Sequence, residues 1–174
     1  MNYPLISEYI EAIRSAEDNF DKLSILRPEL DANGNPVMSS GNFAVVFKMK
    51  DIETGKMYAV KCFTREQEER EERYREIIKV LEQVKSPYFV SAHYYDRELF
   101  VDTTQGDETE FPVLVMDWVE GVPLDEYMKS IANNQFYREL LASRFQKLVY
   151  WLLPQPFAHG DIKPDNIIPQ IRNL

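Results

Sequence analysis

An aspartate at 161, a lysine at 163 and an asparagine at 166 stand within the run His159, Gly160, Asp161, Ile162, Lys163, Pro164, Asp165, Asn166 of this 174-residue chain. An acid, a cation two residues later and an amide three beyond that are groups suited to handling phosphate. The carboxylate can hold a hydroxyl for in-line attack, the ammonium can neutralise a transferring phosphoryl group, and the amide oxygen can ligate a hard cation such as magnesium. Asp, Gly, Asn and Pro are also ordinary turn residues, so a polar turn between two elements is the lesser alternative for the run taken alone.

A second chemical group is Lys61, in the apolar run Met57 to Phe63. Burying an unpaired ammonium is expensive, so this lysine either meets an anion or points to solvent. Just upstream, Ser39, Ser40, Gly41, Asn42, Phe43, Ala44, Val45, Val46 places small residues at the entry to a strand, where a backbone can closely approach a ligand. A plain turn would use the same residues.

The elements that must position these groups follow from periodicity. Apolar residues at Leu5, Tyr9, Ile10 and Ile13 predict a short N-terminal helix, and the turn-rich residues 27–37 predict a link to a sheet. The runs Phe43 to Met49 and Met57 to Phe63, separated by a polar hexapeptide, predict a hairpin. Residues 65–85 predict a highly charged helix with an apolar stripe at Ile77, Ile78, Leu81 and Val84. Two strands are expected at Ala92 to Asp96 and Leu99 to Thr103, then an acidic turn at 104–110 and a strand from Phe111 to Trp118. A short helix should follow at Asp125 to Ile131, then a long one at Phe136 to Leu153 burying Phe145, Leu148, Val149, Leu152 and Leu153, stopped by Pro154 and Pro156.

Composition bounds the partners. A hydrophobic content of 44% suffices for a core, and a net charge of −9 argues against nucleic acid or an anionic membrane as the main partner. A pI near 4.8 points the same way, so any phosphate site must be built locally. The single cysteine, Cys62, excludes an internal disulfide, and no signal sequence or long apolar run is visible. A soluble protein of the reducing cytoplasm is the expectation.

In combination these segments resemble a protein kinase over residues 39–168. His159 to Asn166 resembles the catalytic loop His-Arg-Asp-x-x-x-x-Asn with Gly160 in place of the arginine, and Tyr58-Ala59-Val60-Lys61 resembles the Val-Ala-Ile-Lys strand. Ser39 to Val46 resembles the glycine-rich phosphate loop with its middle glycine, Gly41, kept. Val113 to Leu124 resembles the last strand and hinge. The resemblance implies an α+β, kinase-like fold, with a small antiparallel sheet carrying one helix (residues 39–119) and the first part of a helical lobe (residues 120–174). Residues 1–38 are expected as a separate helix and linker.

The resemblance also implies roles. ATP would bind between the lobes, contacted by Gly41, Val46, Ala59, Lys61, the gatekeeper Met116 and the backbones of Asp117 and Val119. Asp161 would orient a hydroxyl, Lys163 would steady the γ-phosphate and Asn166 would hold Mg2+. Glu76 is the expected carboxylate partner of Lys61 and Glu72 the alternative, although the family register counted back from Ser86-Pro87-Tyr88 falls on Ile77. Lys163 and Pro164 favour Ser/Thr hydroxyls of a protein as acceptor, whereas His-Gly-Asp also resembles small-molecule kinases of the aminoglycoside phosphotransferase type. No Asp-Phe-Gly segment follows Asn166. The expectation is accordingly a truncated kinase, inactive alone or completed by a partner, with a non-catalytic nucleotide-binding module as the other function class.

Overall fold

A computed structural model of the chain describes residues 2–84 and 86–170. The strands build an antiparallel sheet, the architecture expected, in which β1 (Leu26–Pro28), β3 (Ala44–Asp51), β4 (Met57–Phe63), β6 (Glu110–Asp117) and β5 (Ala92–Phe100) lie in that order. The short β2 (Met38–Ser40) pairs with β3 beside β1. Two expectations change here. The turn-rich stretch at 27–37 contains the end of β1, paired with β3 from Leu26↔Asp51 to Pro28↔Met49. The two strands expected at 92–103 are one strand, interrupted by a register shift between Tyr95 and Leu99 that a sequence pattern reads as a break.

One sheet face carries Val45, Phe47, Met49, Val60, Cys62, Val113 and Val115, all buried. Against it lies the N-terminal helix α1 (Ile6–Arg14), whose Tyr9, Ala12 and Ile13 are buried at the spacing of a single helical face, followed by the short α2 (Ala16–Asn19) with Ala16 and then Phe20. Residues before 39 are thus part of the same core as the sheet. Glu8 anchors the helix: one carboxylate oxygen accepts from Leu5 N (2.8 Å) and Thr103 Oγ1 (2.7 Å), the other from Thr104 N and Oγ1 (2.8 Å each). The Thr104 amide leads the set that pulls its carboxyl down to about 2.

The opposite face carries Ala44, Phe63, Leu114 and Met116 and receives α3 (Arg70–Val84) through Tyr74 and Ile78. The expected stripe is rotated: Ile77 is 51% exposed, and Tyr74 does the packing instead.

The described residues divide into two compact units that meet between Trp118 and Val119. In the second, α4 (Leu124–Ser130) is followed by α5 (Gln135–Leu152), which starts where the Asn134 side chain accepts from Tyr137 N, and by a 3₁₀ turn at Pro164–Asn166. The residues expected on a buried side of α5 are not buried. Phe145 is 40% exposed and Leu153 73%.

Candidate functional site

Pairing in the sheet decides which of the expected residues share a face. Val46 pairs with Lys61 and Lys61 with Leu114, while Ala59 pairs with Met116, giving two adjacent cross-strand rows. Directly paired residues point to the same side and lie about 5 Å apart. Val46, Ala59, Lys61 and Met116 therefore stand together on the face that also carries α3, away from α1. Small and apolar neighbours beside a lysine form a surface that a flat heterocycle can cover while its anionic part reaches the ammonium.

Gly41 lies in the tight connection between β2 and β3, where its N–H donates to Ala44 O at 2.9 Å. Its φ is outside the left-handed region, and a Cβ would meet only that carbonyl oxygen at 3.9 Å. The turn itself does not demand glycine here.

Lys61 is half-buried, and its Nζ donates to the Tyr74 hydroxyl at 3.3 Å, 5.8 Å and 6.0 Å from the ring centres of Phe63 and Tyr74. Glu76 and Glu72 are both exposed. Neither pairs with Lys61, because one turn of α3 presents Tyr74 to the sheet and turns both glutamates outward. Glu71, on the inner side, is taken by Arg75 at 2.6 Å. Tyr74 was missed by sequence reasoning; the helical spacing of Tyr74, Ile78 and Leu81 was the available signal.

Asp117 at the end of β6 turns its side chain to the other face, where Lys56 Nζ lies 2.6 Å from it. Burial opposes its ionisation, but donation by Lys56 and Ser91 outweighs burial and holds the carboxyl below the usual aspartate range. Its backbone N–H donates to Ser91 O at 3.2 Å. A cavity of about 250 Å3, walled by residues including Leu23, Tyr58, His93 and Tyr95, opens on this α1 side rather than beside Lys61. Val119, half-buried, is the first residue of the second unit.

Within the second unit the loop residues come together. Asn166 Nδ2 donates to Asp161 Oδ2 (2.8 Å) and to Asp161 O (2.9 Å), and Lys163 Nζ lies 3.3 Å from Oδ2. The Asp161 N–H donates to His159 Nδ1 at 3.2 Å. Asn166 first, then Lys163, keeps the Asp161 carboxyl below its ordinary range although it is exposed. Gly160 adopts φ +78°, a conformation that favours glycine and explains its presence without reference to the missing arginine. The loop is seated by Leu124 N donating to Ile167 O at 2.8 Å and by Gly121, where a Cβ would stand 2.6 Å from Ile168 Cγ2.

For magnesium the fit is that of a partial shell. Asn166 commits its Nδ2 to Asp161, so the amide oxygen is what it can offer, and no cluster of three or more His, Cys, Asp or Glu forms among the described residues. A hard cation held here would take its remaining oxygens from phosphates and water, as Mg2+ commonly does.

A curled antiparallel sheet with one helix on its lysine-bearing face, and an Asp-Lys-Asn loop set among helices, define a kinase-like class of protein. The sequence profile of the protein kinase domain matches residues 35–173, and the chain belongs to that family. It is 31% identical over 142 residues to serine/threonine-protein kinase cds1 of Schizosaccharomyces pombe, an alignment covering 75% of this chain and 28% of that protein. It is 23% identical over 182 residues to serine/threonine-protein kinase GG21441 of Drosophila erecta, covering 97% of this chain and 23% of that protein. The chain spans about a quarter of the length of these relatives. No helix among the described residues is long and apolar enough to cross a membrane.

Proposed function

We propose that this chain supplies the nucleotide-binding sheet and catalytic loop of an ATP-dependent phosphotransferase that acts on Ser/Thr hydroxyls of proteins. The observation that carries the reading is the common face of Val46, Ala59, Lys61 and Met116 beside a glycine whose turn does not require it. On that face the apolar residues receive the adenine and Lys61 meets the α and β phosphates, with the Asp117 carbonyl and Val119 backbone at the base's edge. Mg2+, when bound, neutralises phosphate charge, and Asn166 would give it an oxygen.

Asp161 receives the acceptor hydroxyl. Its depressed pKa makes it a weak base, so its main work is orienting the hydroxyl oxygen for in-line attack, taking the proton late, as the bond to phosphorus forms. Lys163, whose Nζ lies 3.3 Å from Asp161, would steady the γ-phosphate. Lys163 and Pro164 favour the protein acceptor over an aminoglycoside-type hydroxyl.

Calorimetry with Mg·ATP on this chain and on Lys61→Ala tests the nucleotide reading. A charged hydrogen bond contributes about 1.5–3 kcal/mol, so the variant should bind roughly 10- to 100-fold more weakly; equal affinities would remove Lys61 from the site. Transfer of labelled phosphate to a protein substrate but not to an aminoglycoside is expected from a longer form carrying this segment, and label entering only the small molecule would overturn the acceptor assignment.

A further inference from the structure

Arg70 is the one buried residue of α3, 6% exposed at the first turn of a helix otherwise half-buried or exposed along its described length. Its hydrogen-bond partners lie outside the sheet. Arg70 Nη1 donates at 2.6 Å to the hydroxyl of Tyr3, in the segment preceding α1, and Nη2 donates to the Arg65 carbonyl. The guanidinium lies 4.8 Å from the Tyr3 ring centre and 4.1 Å from that of Phe63. Phe63 in turn packs against Tyr74 at 5.7 Å, and Tyr74 stacks on Tyr94 at 5.7 Å with their planes 15° apart. Tyr74 carries the hydroxyl that receives Lys61.

Tyr3 itself is fixed. Its ring packs on Phe111 at 5.9 Å, and the buried Tyr9 that follows it donates its hydroxyl to the Phe63 carbonyl at 2.7 Å. Arg70 is the one buried side chain described in α3, so its grip acts together with the packing of Tyr74 on Phe63 and Tyr94 to hold the first turns of the helix in place. Rotation of α3 would carry Tyr74 away from Lys61 first.

We propose that the N-terminal segment positions the phosphate-facing lysine: Tyr3, through Arg70, holds α3 where the Tyr74 hydroxyl, rather than a carboxylate, receives Lys61. Tyr3, Arg70 and Tyr74 are positioning residues on this assignment, which rests on Lys61 as the phosphate contact. A neutral hydroxyl orients the ammonium without pairing its charge, leaving that charge for an anionic ligand. Tyr3 and Arg70 matter to nucleotide binding although neither touches the nucleotide.

The test follows Lys61 directly. In the full chain with lysines reductively methylated using ¹³C-formaldehyde, the Lys61 methyl resonance, assigned by its loss in Lys61→Arg, should lie apart from the others because of the nearby ring faces. Tyr74→Phe and Tyr3→Phe, each removing one hydroxyl, should move that resonance, with Tyr150→Phe on α5 leaving it in place. Mg·ATP affinity should fall about two- to tenfold in both, the worth of one hydrogen bond. Should Tyr3→Phe fail to fold, Arg70→Lys, which keeps the charge but loses the fork, is read the same way. A Lys61 resonance indifferent to Tyr3→Phe and Arg70→Lys overturns the inference even if the wild type binds Mg·ATP normally. A resonance that responds while the wild type binds no nucleotide upholds the positioning and overturns the nucleotide reading instead.

Discussion

Asp161 carries its negative charge well into the acid range because Asn166 and Lys163 converge on one of its carboxylate oxygens. Such an acid discriminates between the steps of a reaction. Asp161→Asn keeps the shape but removes the charge that orients a hydroxyl, so in a longer form with transfer activity it should lower kcat by about 10²- to 10⁴-fold. Mg·ATP affinity should change by less than about threefold, since nucleophile positioning matters mainly in the transition state. Single-turnover transfer and calorimetry on the same variant check both halves; full transfer by Asp161→Asn would remove it from the chemistry. No acid limb near pH 6–7 should be assignable to this carboxylate, because its pKa is displaced downward.

Helix α1 depends on one carboxylate for its tie to the segment after β5. Glu8 accepts from Leu5, Thr103 and Thr104, and its pKa falls from an ordinary 4.5 to about 2. A carboxyl depressed on folding contributes stability that is complete above its unfolded pKa and lost as pH falls through the folded one. The contribution of Glu8 is therefore present above about pH 4.5 and gone below about pH 2. Glu8→Gln should lower Tm at pH 7 and flatten the dependence of Tm on pH between those limits, as followed by circular dichroism; an unchanged pH profile would show that the tie carries no stability.

Across the whole molecule, burial is uneven. The first unit holds the buried faces of the sheet and α1, whereas Ile131 is the only buried hydrophobic residue described from Val119 onward. Phe47→Ala, at a fully buried site, should cost about 3–5 kcal/mol, and Leu153→Ala, 73% exposed, less than about 0.5 kcal/mol. Hydrogen exchange should find amides of β3, β4 and β6 protected far longer than those of α5, because opening free energy follows buried contacts. Protection of α5 equal to that of the sheet would contradict this distribution.

Much of this was legible in the sequence, and the reason is local. Apolar runs bounded by polar turns mark β3, β4 and β6, helical spacing marks α1 and α5, and the Asp161, Lys163, Asn166 spacing places three side chains close along the chain, so their meeting needs no distant contact. Only tertiary structure could decide the rest. The rotation of α3 about its axis was set by which residues find a place on the sheet, and ring packing with Phe63 and Tyr94 favoured Tyr74 over Ile77, leaving Glu76 and Glu72 outside. The pairing of Tyr3 with Arg70 joins residues 67 positions apart. A local pattern carries no information about such a contact, because the grip exists only once α1 has been packed onto one face of the sheet and α3 onto the other.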